Sequence, residues 1–407
     1  MKIDAGAAGF DAERLSRVEA HLRSRYLEPG KIAGCHVVVS RRGHVALSSS
    51  LGSMDLERAT PVYEDTIWRL YSMTKPITGV ALMSLYERGL FQLGDPVHRF
   101  LPEWRDVLVR ERSGDGSPTL VPPHRAMTVR DLLMHMSGIG FGPPSARLDI
   151  NALTSGAAPR IGNGGTLATL SELLAAEPLR FHPGEHWFYS WSTDMCARLV
   201  EVLSGQPFDQ YLRATIFDPL GMPETGFSVP DSEIKRFAAC YRRDSAKRLV
   251  LVDDPESSRY REKPTFLSGG GGLVGTAADY LRFCRMLLGG GELDGVRVLS
   301  RKTVELMTTN HLPGGGQLRE FALPGGYGEV GFDGTGFGLT VAIGLGPQLT
   351  LGAGSVGEFM WGGLASTIFW IDPAEALVVI FMTQLVPSGT FNFRGQLHAL
   401  VYGAVNA

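Results

Sequence analysis

The chain is poor in cysteine and lysine and has no long apolar run, and each shortage closes off a class of protein. Cysteine occurs four times in 407 residues, at Cys35, Cys196, Cys240 and Cys284. None belongs to a C-x-x-C pair, so neither a disulfide framework nor a cysteine zinc site is indicated. The seven lysines and the arginines form no basic run, and the net charge is −3. A surface for nucleic acid or for an anionic membrane is therefore not expected. The longest apolar run, residues 376–382, is far too short to cross a bilayer. The opening residues, MKIDAGAAGFDAERL, hold no apolar core of signal-peptide length, so a reducing cytoplasm is the expected setting. A G-x-S-x-G turn is absent as well, which removes the usual nucleophile of the α/β-hydrolases.

What is present reads as a large globular protein, 44% hydrophobic and 20% charged, with enough chain for a core that needs no cross-links. Asp11 can cap a helix over 11–26 that places Leu15, Val18 and Leu22 on one face. Residues 34–40 and 44–50, parted by Arg41-Arg42-Gly43, read as a β-hairpin. A helix over 72–88 carries Pro76 in its first turn and Gly89 at its stop. Thr128 and Asp131 form a capping-box variant for a short helix over 128–136. Residues 138–168 read as loop, and helices resume over 169–177, 193–204, 206–217 and 276–288. The end returns to strands at 337–343, 366–371 and 377–383, followed by a helix over 392–403. This order predicts an antiparallel sheet flanked by helices, an α/β domain built from 1–90 and 330–407. A mainly helical region, 91–329, is inserted between its halves.

Two S-x-x-K matches offer a serine nucleophile. Ser232-Glu233-Ile234-Lys235 sits in a charged stretch and reads as a helix-start cluster. Ser72-Met73-Thr74-Lys75 follows an apolar lead and opens a helix whose Val80, Leu82 and Leu85 need burial. Unpaired N–H groups and the positive end of the dipole lie there, and residues i and i+3 share a face. Ser72 also fits a plain helix cap. A serine needs a base, and the histidines supply no obvious one. His135 reads as a helix-end residue. His182 and His186 are separated by Pro183-Gly184, which bars the helix that would align them as ligands, so no metal is expected. Tyr189 becomes a usable base if a cation, here Lys75, sits beside its oxygen; otherwise it is a core aromatic. The stretch Gly269–Gly275 contains a literal G-x-G-x-x-G, starting at Gly270, without a βαβ setting, and reads as a tight turn lining a cleft.

Ser72-x-x-Lys75, Tyr189-Ser190-Trp191 and Trp361-Gly362-Gly363, in that order, resemble the three motifs of the serine β-lactamase-like superfamily. That group holds class C β-lactamases, D-alanyl-D-alanine peptidases and family VIII carboxylesterases. The connecting pieces Asp131-Leu132-Leu133, Pro183-Gly184 and Asp218-Pro219-Leu220-Gly221 are similar too. The resemblance implies an acyl-enzyme on Ser72, with the base either Tyr189 as a phenolate paired with Lys75 or neutral Lys75 itself. Its oxyanion hole would be the N–H groups of Ser72 and Leu364, and no metal or cofactor would be required. The departures bear on substrate. Trp191 replaces the Asn of the second motif, and Trp361-Gly362-Gly363 replaces Lys-Thr-Gly, with no Lys or Arg between 352 and 369. The form is similar to the family VIII esterases and the fungal acyltransferase of lovastatin synthesis. A small, uncharged, short-acyl ester is the expected substrate, against a rim of Trp191, Trp361, Phe359 and Phe141. Arg160 is the kind of distant cation that could anchor a carboxylate. A β-lactamase, a D-amino-acid peptidase or an acyltransferase of the same fold is the alternative.

Overall fold

The computed structural model describes residues 1–140, 164–323 and 327–406. Phe141 and Arg160 lie outside them. The main sheet has eight strands: β1 (Gly34–Arg41), β2 (His44–Asp55), β3 (Thr60–Pro61), β4 (Thr335–Phe337), β5 (Ala342–Gly344), β6 (Phe359–Gly363), β7 (Thr367–Asp372) and β8 (Leu377–Thr383). Their order across the sheet is β4-β5-β6-β7-β8-β1-β2-β3, and every neighbouring pair is antiparallel. The two ends of the chain meet at β1 and β8, with Cys35 opposite Thr383 and Arg41 opposite Leu377. Both strands are buried along their whole length. That explains their unbroken apolar runs, since neither face meets water.

The helices that frame the sheet and the site include α1 (Ala12–Leu22), α2 (Thr74–Glu87), α3 (Val129–Leu133), α4 (Leu167–Ala175), α5 (Ser192–Ser204), α6 (Ala277–Leu288) and α7 (Phe393–Tyr402). Asp11, Thr128, Thr166, Thr276 and Asn392 cap five of them through their side chains. At α3 the Thr128–Asp131 capping box closes in both directions. Helix α1 packs on α7, α6 packs on β8, and α2 packs on α5. Helix α2 differs from the amphipathic α1: every residue from Thr74 to Leu85 is buried, so it runs through the core.

Three readings change. The strand expected over 337–343 is two strands, β4 and β5, with a reversal between them. Thr340 takes φ +69°, and its N–H donates to the Leu133 carbonyl at 3.0 Å. The tip presses on α2, where a β-carbon at Gly79 would stand 2.2 Å from Thr340 Oγ1. The helix expected over 11–26 ends at Leu22 and continues as a wider turn, Arg23–Leu27. The one expected over 206–217 likewise divides into Phe208–Leu212 and a wider turn, Arg213–Phe217.

Candidate active site

Ser72 stands in the short helical turn Tyr71–Met73 that leads into α2. Tyr71, directly before it, has φ +44°, a region that costs a bulky residue energy and is held by surrounding structure. Here the Tyr71 side chain is locked in a small cluster with Leu364, Ala365, Val386 and Cys240. Lys75, in the first turn of α2, is buried and places Nζ 3.3 Å from Ser72 Oγ and 2.6 Å from the Gly270 carbonyl oxygen. The Tyr189 hydroxyl donates to Ser72 Oγ at 2.6 Å. The structure thus brings together the three residues that the motifs single out. Ser232 is exposed on a separate turn, Asp231–Arg236.

The glycine run has a packing reason. Backbone around Leu273 pairs with the lead-in to Ser72, Trp68 opposite Gly275 and Arg69 opposite Val274. Thr78 Oγ1 donates to the Gly269 carbonyl at 2.7 Å, and the Leu273 N–H donates to Thr74 Oγ1 at 3.2 Å. A β-carbon at Gly270 would stand 2.4 Å from Asp194 Oδ2, and one at Gly269 2.5 Å from the Ala197 β-carbon. Only glycine lets this loop lie between α2 and α5 and present the Gly270 carbonyl to Lys75.

Strand β6 closes the other side. A β-carbon at Gly363 would be 2.4 Å from the Leu70 carbonyl oxygen, so the strand end lies against the backbone that delivers Ser72. Trp361-Gly362-Gly363 is therefore the segment that ends beside the serine. The Leu364 side chain is buried in the Tyr71 cluster, leaving only its backbone as a group that can serve the site. Trp361 is 0% exposed. Its ring is wedged between Tyr189 and Phe337, each 5.5 Å away by ring centroid. It is therefore a wall behind Tyr189 and not a rim surface. Phe359 is also buried, at the far end of β6, and packs in the sheet. Trp191 is partly exposed, with its ring 6.4 Å from Phe266.

The electrostatics bear on which of Tyr189 and Lys75 is the base. Burial pulls the Lys75 pKa down to about 8, against the opposing pull of Asp194 and Glu329. Burial, followed by the charge of Glu329, pushes the Tyr189 hydroxyl well above its ordinary value. The position of the cation disfavours a phenolate. Lys75 Nζ lies over the face of the ring, 4.5 Å from its centroid, and its recorded hydrogen bonds go to Ser72 and Gly270. His135 ends α3, as its sequence suggests, and its ring also lies 4.9 Å from that of Tyr189. Burial, with Lys75 nearby, holds it neutral.

Two carboxylates escaped the sequence reading. Asp194, buried in the first turn of α5, accepts from Ser268 Oγ at 2.6 Å and from the Gly270 N–H at 3.1 Å. It steadies the peptide whose carbonyl holds Lys75. An acid at a helix start is ordinary, so nothing in the sequence set it apart. Glu329 is partly buried near Tyr189.

Among the described residues, Glu111, His124 and His182 have the composition of a metal site, with candidate ligand atoms within 4.8 Å of one another. Their geometry is unsuited to one. The two imidazoles are stacked in parallel, 3.6 Å apart, so one ion cannot lie in both ring planes. The backbone N–H of His124 donates to His182 Nδ1 at 3.1 Å. This puts the His182 proton on Nε2, facing Glu111, and leaves no lone pair there. His186 turns away to pack on Phe181.

Known proteins place this arrangement. The Beta-lactamase family model matches residues 20–403. The chain is 33% identical over 363 residues to Protein Rv1367c of Mycobacterium tuberculosis, covering 88% of each. It is 30% identical over 412 residues to Esterase EstB of Burkholderia gladioli, covering 95% of each. The solved structure of EstCE1, described as a hydrolase with promiscuous acyltransferase activity, superposes with a TM-score of 0.77 at 26% identity, over 96% of this chain and 99% of that one. The chain belongs to the beta-lactamase family and is a serine hydrolase of the β-lactamase/transpeptidase-like fold.

Proposed function

We propose that this protein hydrolyses small, uncharged esters through an acyl-enzyme on Ser72. The convergence of Ser72 Oγ with Lys75 Nζ and the Tyr189 hydroxyl supports this most directly. Neutral Lys75 takes the Ser72 proton as Oγ attacks the ester carbonyl. The oxyanion is held by the backbone N–H groups of Ser72 and Leu364. Tyr189 stays protonated and donates a hydrogen bond toward the departing alkoxide, while the Lys75 ammonium returns the serine proton to it. Water, activated by the same amine, then attacks the acyl carbonyl, releasing the acid and restoring Ser72. An alcohol in place of water would give acyl transfer. The name of EstCE1 makes that the second reading, and competition by an added alcohol separates the two.

The site is poorly suited to a substrate carboxylate. β6 carries no cation, and Arg394, which does reach it, donates to the carbonyls of Trp361 and Phe369 at 2.8 and 3.0 Å. A carboxylate desolvated without a partner costs several kcal/mol, and about 1.4 kcal/mol is a tenfold loss. The kcat/KM for p-nitrophenyl butyrate should therefore exceed that for nitrocefin by more than about 100-fold. A nitrocefin value equal to the ester value would overturn the esterase reading.

Asp194→Asn keeps an acceptor for Ser268 and Gly270 but removes a charge that raises the Lys75 pKa. Activity that needs the neutral amine rises with pH through the Lys75 pKa. In the variant that rising limb should move to lower pH. A limb that stays in place or moves up would mean that Lys75 does not set it.

A further inference from the structure

We propose that Glu329 gives the β6 side of the cleft a preference for esters that carry an ammonium group over those that carry a carboxylate. The inference rests on the esterase reading and widens its substrates from uncharged esters to cationic ones. Tyr327 donates to Glu329 Oε1 at 2.7 Å and also bonds Ser388. The Tyr327 ring lies 5.7 Å from that of Tyr189, so this segment is packed onto the site. The Glu329 β-carbon is 3.4 Å from where a β-carbon of Gly362 would stand, which sets the glutamate beside the glycine pair next to Ser72. Its charge reaches both Lys75 and Tyr189.

The charge balance gives the preference its sign. With Lys75 neutral, as the reaction needs, Asp194 and Glu329 lose the cation on which their charges act. Arg394 offsets Glu329 in part, but its guanidinium is held by two backbone carbonyls. A carboxylate on the substrate adds a like charge to this region, whereas an ammonium group adds the opposite one.

The test compares three butyrate esters of matched size by pH-stat at pH 9. They are the choline ester, the ester of its uncharged isostere 3,3-dimethylbutanol, and the ester of an ω-hydroxycarboxylate. For the native chain, kcat/KM should fall by roughly tenfold from cationic to neutral and again from neutral to anionic. In Glu329→Gln the cationic-to-anionic ratio should shrink by at least about tenfold. In Glu329→Asp it should survive. Using the ratio removes any general effect of the substitution on rate or folding. A native chain that hydrolyses all three without this order, or a Glu329→Gln ratio unchanged, would overturn the proposal while leaving the esterase reading intact. Hydrolysis of none would overturn both.

Discussion

Ser72→Ala should abolish ester turnover to background, whereas Ser232→Ala should leave it within about twofold. Both serines stand three residues before a lysine, so a motif alone treats them alike. The structure separates them. Ser72 receives a hydrogen bond from Tyr189 at 2.6 Å and faces Lys75 at the start of a buried helix. Ser232 is exposed, and its hydroxyl donates to its neighbour Glu233 at 3.4 Å. Loss of the nucleophile leaves the bound ester to spontaneous hydrolysis, since no other group on this path can carry the acyl chain. Folding of the Ser72 variant should be intact by circular dichroism, because an alanine fits the same turn. Full activity in it would end the present mechanism.

Lys75→Ala and Tyr189→Phe should each lower kcat by about 10²–10⁴, the usual worth of a positioned proton-transfer group. The two losses should differ in their pH dependence. In the native chain the rate rises with pH through about 8, where burial has placed the Lys75 titration, and is level above it. Below that pH the amine is an ammonium with no lone pair to accept the serine proton. Tyr189→Phe removes a donor but leaves the amine, so the residual activity should keep a rising limb. Lys75→Ala removes the titrating group, so that limb should vanish. A Lys75→Ala variant that retained the same limb would assign it elsewhere. Stopped assays with p-nitrophenyl butyrate between pH 6 and 10 check both, with folding confirmed for each variant.

The sequence was most legible where structure is local. The Asp11 cap, the Thr128–Asp131 box and the Gly89 stop depend on neighbours within a turn, and each is read correctly. The central strands were legible because burial on both faces requires an unbroken apolar run. The β4–β5 reversal was not, because its apolar residues continue through the bend. What makes the turn is the seat for Thr340 beside Gly79, a contact between distant segments. The site divides in the same way. Ser72 and Lys75 lie on one helical turn, and the three motifs together pointed to Tyr189. Their geometry then bears on the choice of base, since spacing says nothing about whether an ammonium meets a phenol at its oxygen or its face. Trp361 was read as a rim residue because an aromatic beside two glycines suits either an exposed or a buried strand face. Its place between Tyr189 and Phe337 decides for burial. Asp194 and Glu329 carry no motif at all, and only folding brings them to the lysine.

The central claim is a covalent acyl-enzyme on Ser72, and peptide mapping after a fluorophosphonate or a slowly hydrolysed ester tests it most directly. Trypsin should release residues 70–88 as one peptide, because cleavage follows Arg69 and Arg88 while Pro76 protects the bond after Lys75. The expected result is one adduct per chain, fragmented to Ser72 and absent from Ser72→Ala. An adduct on any other peptide, retained when Ser72 is replaced, would contradict the mechanism.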